Sequence, residues 1–175
     1  MRRTILSDPH QRAAWDLYGA SVLTQNKLGE QKNLTGFNHY LRSNLQVAAR
    51  NKPIIDDGPL IYELPLKDTK FACAVDEATQ SNSVTFDDAA DWCKEDGSWF
   101  TVYQGHPQNT QRNFFDGPWR LSGVASGQSA IPITSPHDEG LAFPVGAGQK
   151  VWFYARITRA DGRLSEPFRC DSIVS

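Results

Sequence analysis

The feature that most constrains the fold is a change in the period of the hydrophobic pattern near residue 60. Before this point, apolar residues recur three and four positions apart, which is the spacing of one face of an α-helix. After it, apolar and polar residues alternate in short runs between Gly, Pro, Asn and Asp clusters, which is typical of β-strands joined by turns. Residues 51–59, with two prolines and a glycine, lie at the change. We therefore predict a helical arm and linker at residues 1–58 and a β domain at residues 59–175.

Two helices are predicted in the arm. The first begins with Asp8 as its N-cap and Pro9 at the first helical position, where the missing N–H would be unsatisfied anyway, and it ends near Leu23. The second begins after Thr35 and stops before Pro53, because proline disfavours helical geometry in the residue before it. Helices this short are marginal in water by themselves. They need a partner surface, which is either the chain's own β domain or a neighbouring subunit.

Eight short strands are predicted in the β domain. Their ranges are Leu60–Leu66, Lys70–Val75, Ser83–Phe86, Trp99–Gln104, Trp119–Ala125, Ala130–Thr134, Lys150–Thr158 and Ser165–Asp171. The clearest is Lys150–Thr158, whose odd-numbered positions are all apolar, and an Asp161-Gly162 hairpin turn follows it. Strands without a helical pattern between them indicate two packed antiparallel sheets. The predicted fold is therefore mainly β, an antiparallel immunoglobulin- or fibronectin-III-like sandwich with an N-terminal two-helix arm.

The sequence contains no recognisable catalytic or metal-binding constellation. Residues 123–127 lack the spacing of a nucleophile elbow, and residues 146–150 lack that of a phosphate loop. We therefore predict a protein that is not an enzyme and has no cofactor and no metal site. One acidic group leaves the question of a bound cation open, although its spacing matches no EF-hand. Its members are Asp87, Asp88, Asp91, Glu95 and Asp96.

Charge and cysteine usage narrow the class of partner. The formal net charge is −2, which provides no overall basic field for a phosphate backbone. No segment approaches the roughly twenty apolar residues of a membrane span, and the start of the chain lacks the apolar stretch of a signal peptide. We expect neither nucleic acid nor a membrane as partner. The sequence has three cysteines, Cys73, Cys93 and Cys170, and their spacing shows no disulfide framework. An odd number of cysteines without such a framework favours a reducing compartment.

Candidate contact residues come from the apolar positions of the arm and from the long loop at residues 106–119. Loops of that length are often functional, although the loop's aromatic residues could instead anchor it to the core. The predicted partner-binding residues are Trp15, Tyr18, Phe37, Tyr40, Leu41, Leu45, Phe114 and Phe115.

A second function is compatible with the same fold. Sandwiches present loops and aromatic platforms suited to sugars, so a carbohydrate- or receptor-binding module is an alternative. The aromatic residues that could form such a platform are Trp99, Tyr103, Trp119, Trp152 and Tyr154. Whether they line one exposed face or fill the core separates the two possibilities.

Several segments carry a resemblance to a known family. In the arm they are Gln11–Trp15, Lys27–Gly29 and Leu34–Asn44, and in the β domain they are Pro107–Asn109, Asn113–Phe115, Gly117–Arg120, Val151–Arg156 and Asp161–Phe168. Together they resemble largely uncharacterised proteins encoded in tailed phages and prophages. The resemblance covers most of the chain, and its motifs look structural.

The resemblance implies a virion structural protein that is made in the host cytoplasm and resides in the virion. A capsid decoration or cement protein anchored to neighbouring subunits is the first expectation, and a neck or tail component is the alternative. The implied partners are other virion proteins, namely capsid, neck or tail subunits, and possible copies of the chain itself. The resemblance carries over no functional residue.

Overall fold

A computed structural model describes residues 8–26, 28–49 and 51–175 of the chain. Residues 1–7, the segment judged to lack a signal peptide, lie outside the described residues. The chain divides into two compact units. The first consists of Met1–Leu66 and Thr158–Glu166, and the second of Lys67–Ile157 and Pro167–Ser175. The division thus falls eight residues after the boundary expected at residue 58, and a segment from late in the chain belongs to the first unit.

The first unit contains the two predicted helices. Its elements are α1 (Pro9–Ser21), β1 (Leu23–Gln25), β2 (Gln31–Asn33) and α2 (Gly36–Ala48). The Asp8 carboxylate accepts a hydrogen bond from the His10 backbone N–H at 2.8 Å, and the Thr35 hydroxyl accepts one from the Asn38 N–H at 3.3 Å. Both predicted N-caps are therefore confirmed. The antiparallel β1–β2 hairpin was not predicted, because strands of three residues are too short to show an alternating pattern.

A small aromatic core holds this unit together. Trp15 and Tyr40 are buried, and their rings meet edge-on at 5.6 Å between centroids. The Trp15 indole N–H donates to the Asp56 carbonyl oxygen at 3.0 Å, and the Tyr40 hydroxyl donates to the Asp56 carboxylate at 3.1 Å. A buried ring with a polar edge needs such a partner. The linker after α2 is therefore bound to the helices rather than free.

The helices approach each other closely at two glycines. A Cβ atom placed on Gly36 would lie 2.4 Å from the backbone of Trp15, and one placed on Gly19 would lie 2.6 Å from the Gly36 nitrogen. These contacts are with backbone atoms, which cannot move away as a flexible side chain can. Glycine at both positions is what allows α1 and α2 to cross.

The hairpin Thr158–Glu166 completes the first unit. The Arg159 N–H donates to the Arg163 carbonyl at 2.9 Å, and Gly162 adopts φ +88°. This is a three-residue loop with glycine in the left-handed position, so the predicted Asp-Gly turn is confirmed. Gly162 lies against Trp15, because a Cβ atom there would be 3.3 Å from the indole ring.

The second unit is a sandwich of two antiparallel sheets, which confirms the predicted fold class. Its strands are β3 (Ala72–Asp76), β4 (Ser81–Thr85), β5 (Trp99–Gly105), β6 (Trp119–Ser126), β7 (His137–Gly140), β8 (Lys150–Thr158) and β9 (Phe168–Ile173). One sheet has the order β3-β4-β7 and the other β6-β5-β8-β9. The connections β4 to β5, β6 to β7 and β7 to β8 pass between sheets, as in immunoglobulin-like sandwiches.

The sandwich core follows the alternation of β8. Val151, Phe153 and Ala155 are fully buried, whereas the side chains between them are half-buried. Trp92, in the short 3-10 turn Asp91–Lys94, stacks on Phe100 of β5 with 5.3 Å between the ring centroids. Large apolar side chains buried from both sheets provide the main stabilisation of such a domain.

Two strand predictions are wrong. Leu60–Leu66 is irregular, because Pro59 and Pro65 offer no N–H to a strand ladder. Ala130–Thr134, which contains a proline, is also irregular, and β7 lies after it. The sequence of β7 is polar and therefore shows no alternation of apolar and polar residues. This strand lies at the edge of its sheet and pairs only with β4 among the described strands.

The helix crossing leads to a prediction about stability. We expect Gly36→Ala to lower the free energy of unfolding by about 3 kcal/mol, because its Cβ atom would overlap the Trp15 backbone. The matched control is Gly140→Ala, where the added Cβ atom meets nothing within 4 Å and the effect should be less than about 1 kcal/mol. Chemical denaturation measures both. Equal effects would contradict the proposed close approach.

Candidate functional site

The eight predicted partner-binding residues are divided between buried and exposed positions. Those buried within their own units are Trp15, Tyr18, Tyr40 and Phe115. Those exposed are Phe37 at 48%, Leu45 at 65% and Phe114 at 66%, and Leu41 is half-buried. The buried side chains are occupied by internal packing. The surface that a partner could contact is therefore smaller than the predicted set.

Three of these residues form one apolar line on α2, called here the α2 stripe. Phe37, Leu41 and Leu45 are spaced four residues apart and so lie on the same side of the helix. The opposite side, which includes Tyr40 and Val47, is buried. Phe37 and Leu45 of the α2 stripe therefore remain accessible, whereas Leu41 between them also packs partly against the aromatic core of the unit.

A buried asparagine fixes which side of α2 faces outward. The Asn44 amide donates to the Ile55 carbonyl at 2.9 Å, and its side-chain oxygen accepts from the Ile55 N–H at 2.8 Å. The same amide donates to the Tyr40 carbonyl at 3.2 Å. Such paired bonds permit little rotation, since turning the helix would leave buried polar groups unsatisfied. The stripe is thus held in a fixed orientation.

A second exposed apolar surface lies in the irregular segment Leu60–Leu66. Leu60 and Leu66 are 86% and 88% exposed, and Ile61 and Tyr62 are 50% and 41% exposed. Leu64 instead packs against the aromatic core of the first unit. Neighbouring exposed apolar side chains in one segment are a common mark of an interaction surface.

The outer face of the four-stranded sheet carries an aromatic cluster. Tyr103 and Tyr154 stack in parallel at 4.5 Å, and Trp119 meets Tyr154 edge-on at 4.9 Å. All three are half-buried, and burial raises the pKa of Tyr154 to about 12. Trp152 is also half-buried, whereas Trp99 is only 8% exposed. Four of the five predicted platform residues therefore remain partly accessible, and two of their rings cover each other.

Arginines hold the long loop between β5 and β6 in place. The Arg169 guanidinium lies 5.4 Å from the Trp119 ring centroid and donates to the Phe115 carbonyl at 3.3 Å. Arg112 donates to the Phe114 carbonyl at 2.9 Å. Phe115 consequently anchors the loop to Trp119, with 5.0 Å between ring centroids, whereas its neighbour Phe114 points away from the core.

The acidic group is distributed over local contacts. Asp87 accepts a hydrogen bond from Lys70 at 2.9 Å, which lowers the pKa of the Asp87 carboxyl. Asp96 accepts bonds from the backbone and hydroxyl of Ser129 at 2.8 and 2.7 Å, which lower the pKa of Asp96. Within residues 8–26, 28–49 and 51–175, no three His, Cys, Asp or Glu side chains are arranged to hold a metal ion.

Two buried polar side chains in the first unit lie in contact. The His39 ring meets the Tyr18 ring edge-on at 4.9 Å. Neither the Tyr18 hydroxyl nor His39 Nε2 has a hydrogen-bond partner in the described part of the chain. Burial, with a smaller contribution from the Arg42 charge, lowers the pKa of His39 to about 4. Burial also raises the pKa of Tyr18 to about 12. Both side chains are therefore neutral at physiological pH.

A shallow cavity of about 410 Å³ lies beside β6 and β7. It is lined mainly by small and apolar side chains, with His137 and Asp138 as its titratable residues. A catalytic pocket usually gathers several titratable groups with shifted pKa values.

No helix among the described residues is long and apolar enough to span a bilayer.

Comparisons with known proteins give little further information. Protein-family models give no match, and neither do curated protein sequences. Among solved structures, the chain is similar to a family 76 glycoside hydrolase from a bovine Bacteroides thetaiotaomicron strain, with 14% identity and a TM-score of 0.38. The match covers 61% of this chain and 20% of that protein. A likeness this weak supports no inference about activity.

The buried histidine leads to a prediction about pH. Because the pKa of His39 is lower in the folded state, the unfolded state binds more protons between pH 6.5 and about 4. Stability should therefore fall as the pH falls through this range, by at most about 3 kcal/mol. Denaturation of wild type and His39→Gln at pH 6.5 and 5 measures the effect. A smaller loss in the variant is expected.

The exposed His10 supplies the matched control for this experiment. His10→Gln makes the same replacement at an exposed position of the same unit, so it measures the effect of the substitution itself on the two denaturation curves. Equal pH dependence in wild type and His39→Gln would show that His39 is not the group responsible.

Proposed function

We propose that this protein is a non-enzymatic structural protein of a tailed-phage virion, most specifically a capsid decoration or cement protein. The observation that carries the proposal is the α2 stripe, an apolar line on a helix whose opposite side is already packed. The family resemblance of the sequence supports the virion, and the stripe supports attachment to a neighbouring virion subunit.

The stripe suits attachment because its side chains are already ordered. Phe37 and Leu45 are 48% and 65% exposed, so covering them would contribute on the order of 1–2 kcal/mol each. The helix that presents them is fixed by Asn44, so little conformational entropy is lost on binding. The exposed Leu60–Leu66 segment can extend the same kind of contact. A few such anchors, repeated over many subunits, suit a protein that adds to a preformed particle.

A neck or tail component is the alternative within the same class. The two positions differ in copy number, because a decoration protein covers a shell of many subunits whereas a neck or tail ring contains few. Quantitative mass spectrometry of purified particles, normalised to the major capsid protein, distinguishes them.

The aromatic cluster favours a second candidate function, a carbohydrate- or receptor-binding module. Trp119, Tyr103 and Tyr154 lie together on the outer sheet face beside Arg169, and aromatic rings next to polar groups are suited to sugar rings. Binding of soluble host polysaccharide that is lost in Trp119→Ala would favour this function. If Phe37→Ser/Leu45→Ser still binds the polysaccharide, sugar binding does not use the α2 stripe, and the two candidate functions are distinguished.

The stripe gives the proposal its test. We expect Phe37→Ser/Leu45→Ser to fold normally, since both side chains are exposed, but to be depleted at least tenfold from purified particles. The loss of about 2–3 kcal/mol of apolar contact corresponds to that factor or more. Mass spectrometry of particles measures the incorporation.

Ile173→Ser provides the matched control, because Ile173 is an equally exposed aliphatic residue, at 60%, in the sandwich. It should be incorporated like wild type. Normal incorporation of the stripe variant would refute attachment through α2, and absence of the wild-type protein from particles would refute the virion assignment itself.

Substitution is a sharper test than removal of residues 1–58. Removal would eliminate Trp15 and α2 but leave residues 59–66 and the hairpin Thr158–Glu166 without the core they pack on. Loss of incorporation by such a shortened chain would then have two explanations.

A further inference from the structure

Two edge strands of the sandwich, β3 and β9, run side by side in the same direction. Near their starts, the rings of Phe71 and Phe168 meet edge-on at 5.3 Å. Beyond their ends, the Ser175 N–H donates to the Val75 carbonyl at 3.2 Å, and the Glu77 N–H donates to the Ser175 carbonyl at 3.1 Å. The strands are therefore in contact near both ends of the shared edge, although they belong to different sheets.

Cys73 and Cys170 lie between these contacts. Cys73 is two residues after the buried Phe71 and Cys170 is two residues after the buried Phe168, so both face the sandwich interior. Both are half-buried and pack against the same core cluster. The Cys73 side chain is the largest cause that raises the pKa of the Cys170 thiol, as expected for neighbouring side chains, and the Asn82 amide donates to the Cys73 sulfur at 3.6 Å. The two cysteine side chains therefore lie on the same face, next to the shared edge of β3 and β9.

We propose that Cys73 and Cys170 form a disulfide bond that joins the two sheets when the protein meets an oxidising environment. Cα atoms of β3 and β9 lie within 8 Å of each other, close to the range of Cα separations that disulfides span, roughly 4.4–6.8 Å. The alternation of both strands places the two side chains on the same, interior side of the edge. This inference does not depend on the proposed virion role.

The chemistry requires a small-molecule disulfide such as oxidised glutathione. Hydrogen bonding to Cys73 is the largest cause that raises the pKa of Cys170, so Cys170 stays protonated and Cys73 attacks first. The Cys73 thiolate forms a mixed disulfide and releases one glutathione thiolate, which takes up a proton. Cys170 then loses its proton and attacks the Cys73 sulfur, releasing the second glutathione. Two protein thiols are oxidised and one glutathione disulfide is reduced to two thiols.

The third cysteine provides a contrast within the same unit. Cys93 is fully buried, its thiol donates to the Asp87 carbonyl at 3.5 Å, and burial raises its pKa to about 12. A fully buried thiol gives glutathione no access to its sulfur, in contrast to the half-buried Cys73 at which the reaction starts. The expected product therefore retains one free thiol at Cys93.

The experiment treats the purified full-length protein with oxidised glutathione, unfolds it and alkylates the remaining thiols. Intact mass before treatment should show three alkylated cysteines, and after treatment one. Peptide mapping of the oxidised wild type should identify a Cys73–Cys170 linked pair that disappears on reduction. The bond closes a loop of about one hundred residues, so the melting temperature should rise by roughly 5–15 °C.

Variants define the pair. Cys93→Ser should still form the bond, whereas Cys170→Ser should retain a glutathione mixed disulfide on Cys73. Three alkylated cysteines after oxidation, a link through Cys93, or a wild-type mixed disulfide that never resolves would each overturn the proposal. The wild-type peptide map decides the question even if a variant fails to fold.

Discussion

The packing of Trp15 is the contact on which the first unit depends. Its indole ring meets Tyr40 of α2 edge-on, donates its N–H to the Asp56 carbonyl of the linker, and lies against Gly162 of the hairpin Thr158–Glu166. Segments more than one hundred residues apart in sequence therefore meet on one side chain. An aromatic ring with a single N–H to satisfy is suited to this position, because it buries a large apolar area with few polar requirements.

Local chemistry explains which parts of the fold could be predicted from sequence. The N-caps Asp8 and Thr35, the alternation of β8 and the Asp161-Gly162 turn depend on residues within a few positions of one another. The failures have non-local causes. Leu60–Leu66 has the apolar content of a strand, but Pro59 before it and Pro65 within it offer no N–H to a strand ladder. The polar strand β7 forms because β4 offers it a partner, and no local pattern reports this.

Only part of the candidate contact surface could be predicted, again because local sequence does not show non-local contacts. An apolar stripe identifies residues that need covering, but it does not say whether the chain or a partner covers them. Tyr40 and Leu45 lie on the same helix, yet one is 5% exposed and the other 65%. The bonds between Asn44 and Ile55 decide this difference. Likewise, Phe114 and Phe115 are adjacent in an irregular loop, where the sequence does not indicate which ring faces inward.

The division of the first unit between two parts of the sequence has a consequence for synthesis on the ribosome. The helices emerge early, but the hairpin Thr158–Glu166 emerges only after the strands of residues 67–157 have been translated. The contact between Trp15 and Gly162 can therefore form only after the intervening strands have been translated. A nascent chain with exposed aromatic side chains is prone to mispairing and aggregation. The packing of the two helices is thus completed only once the hairpin that contains Gly162 has been translated.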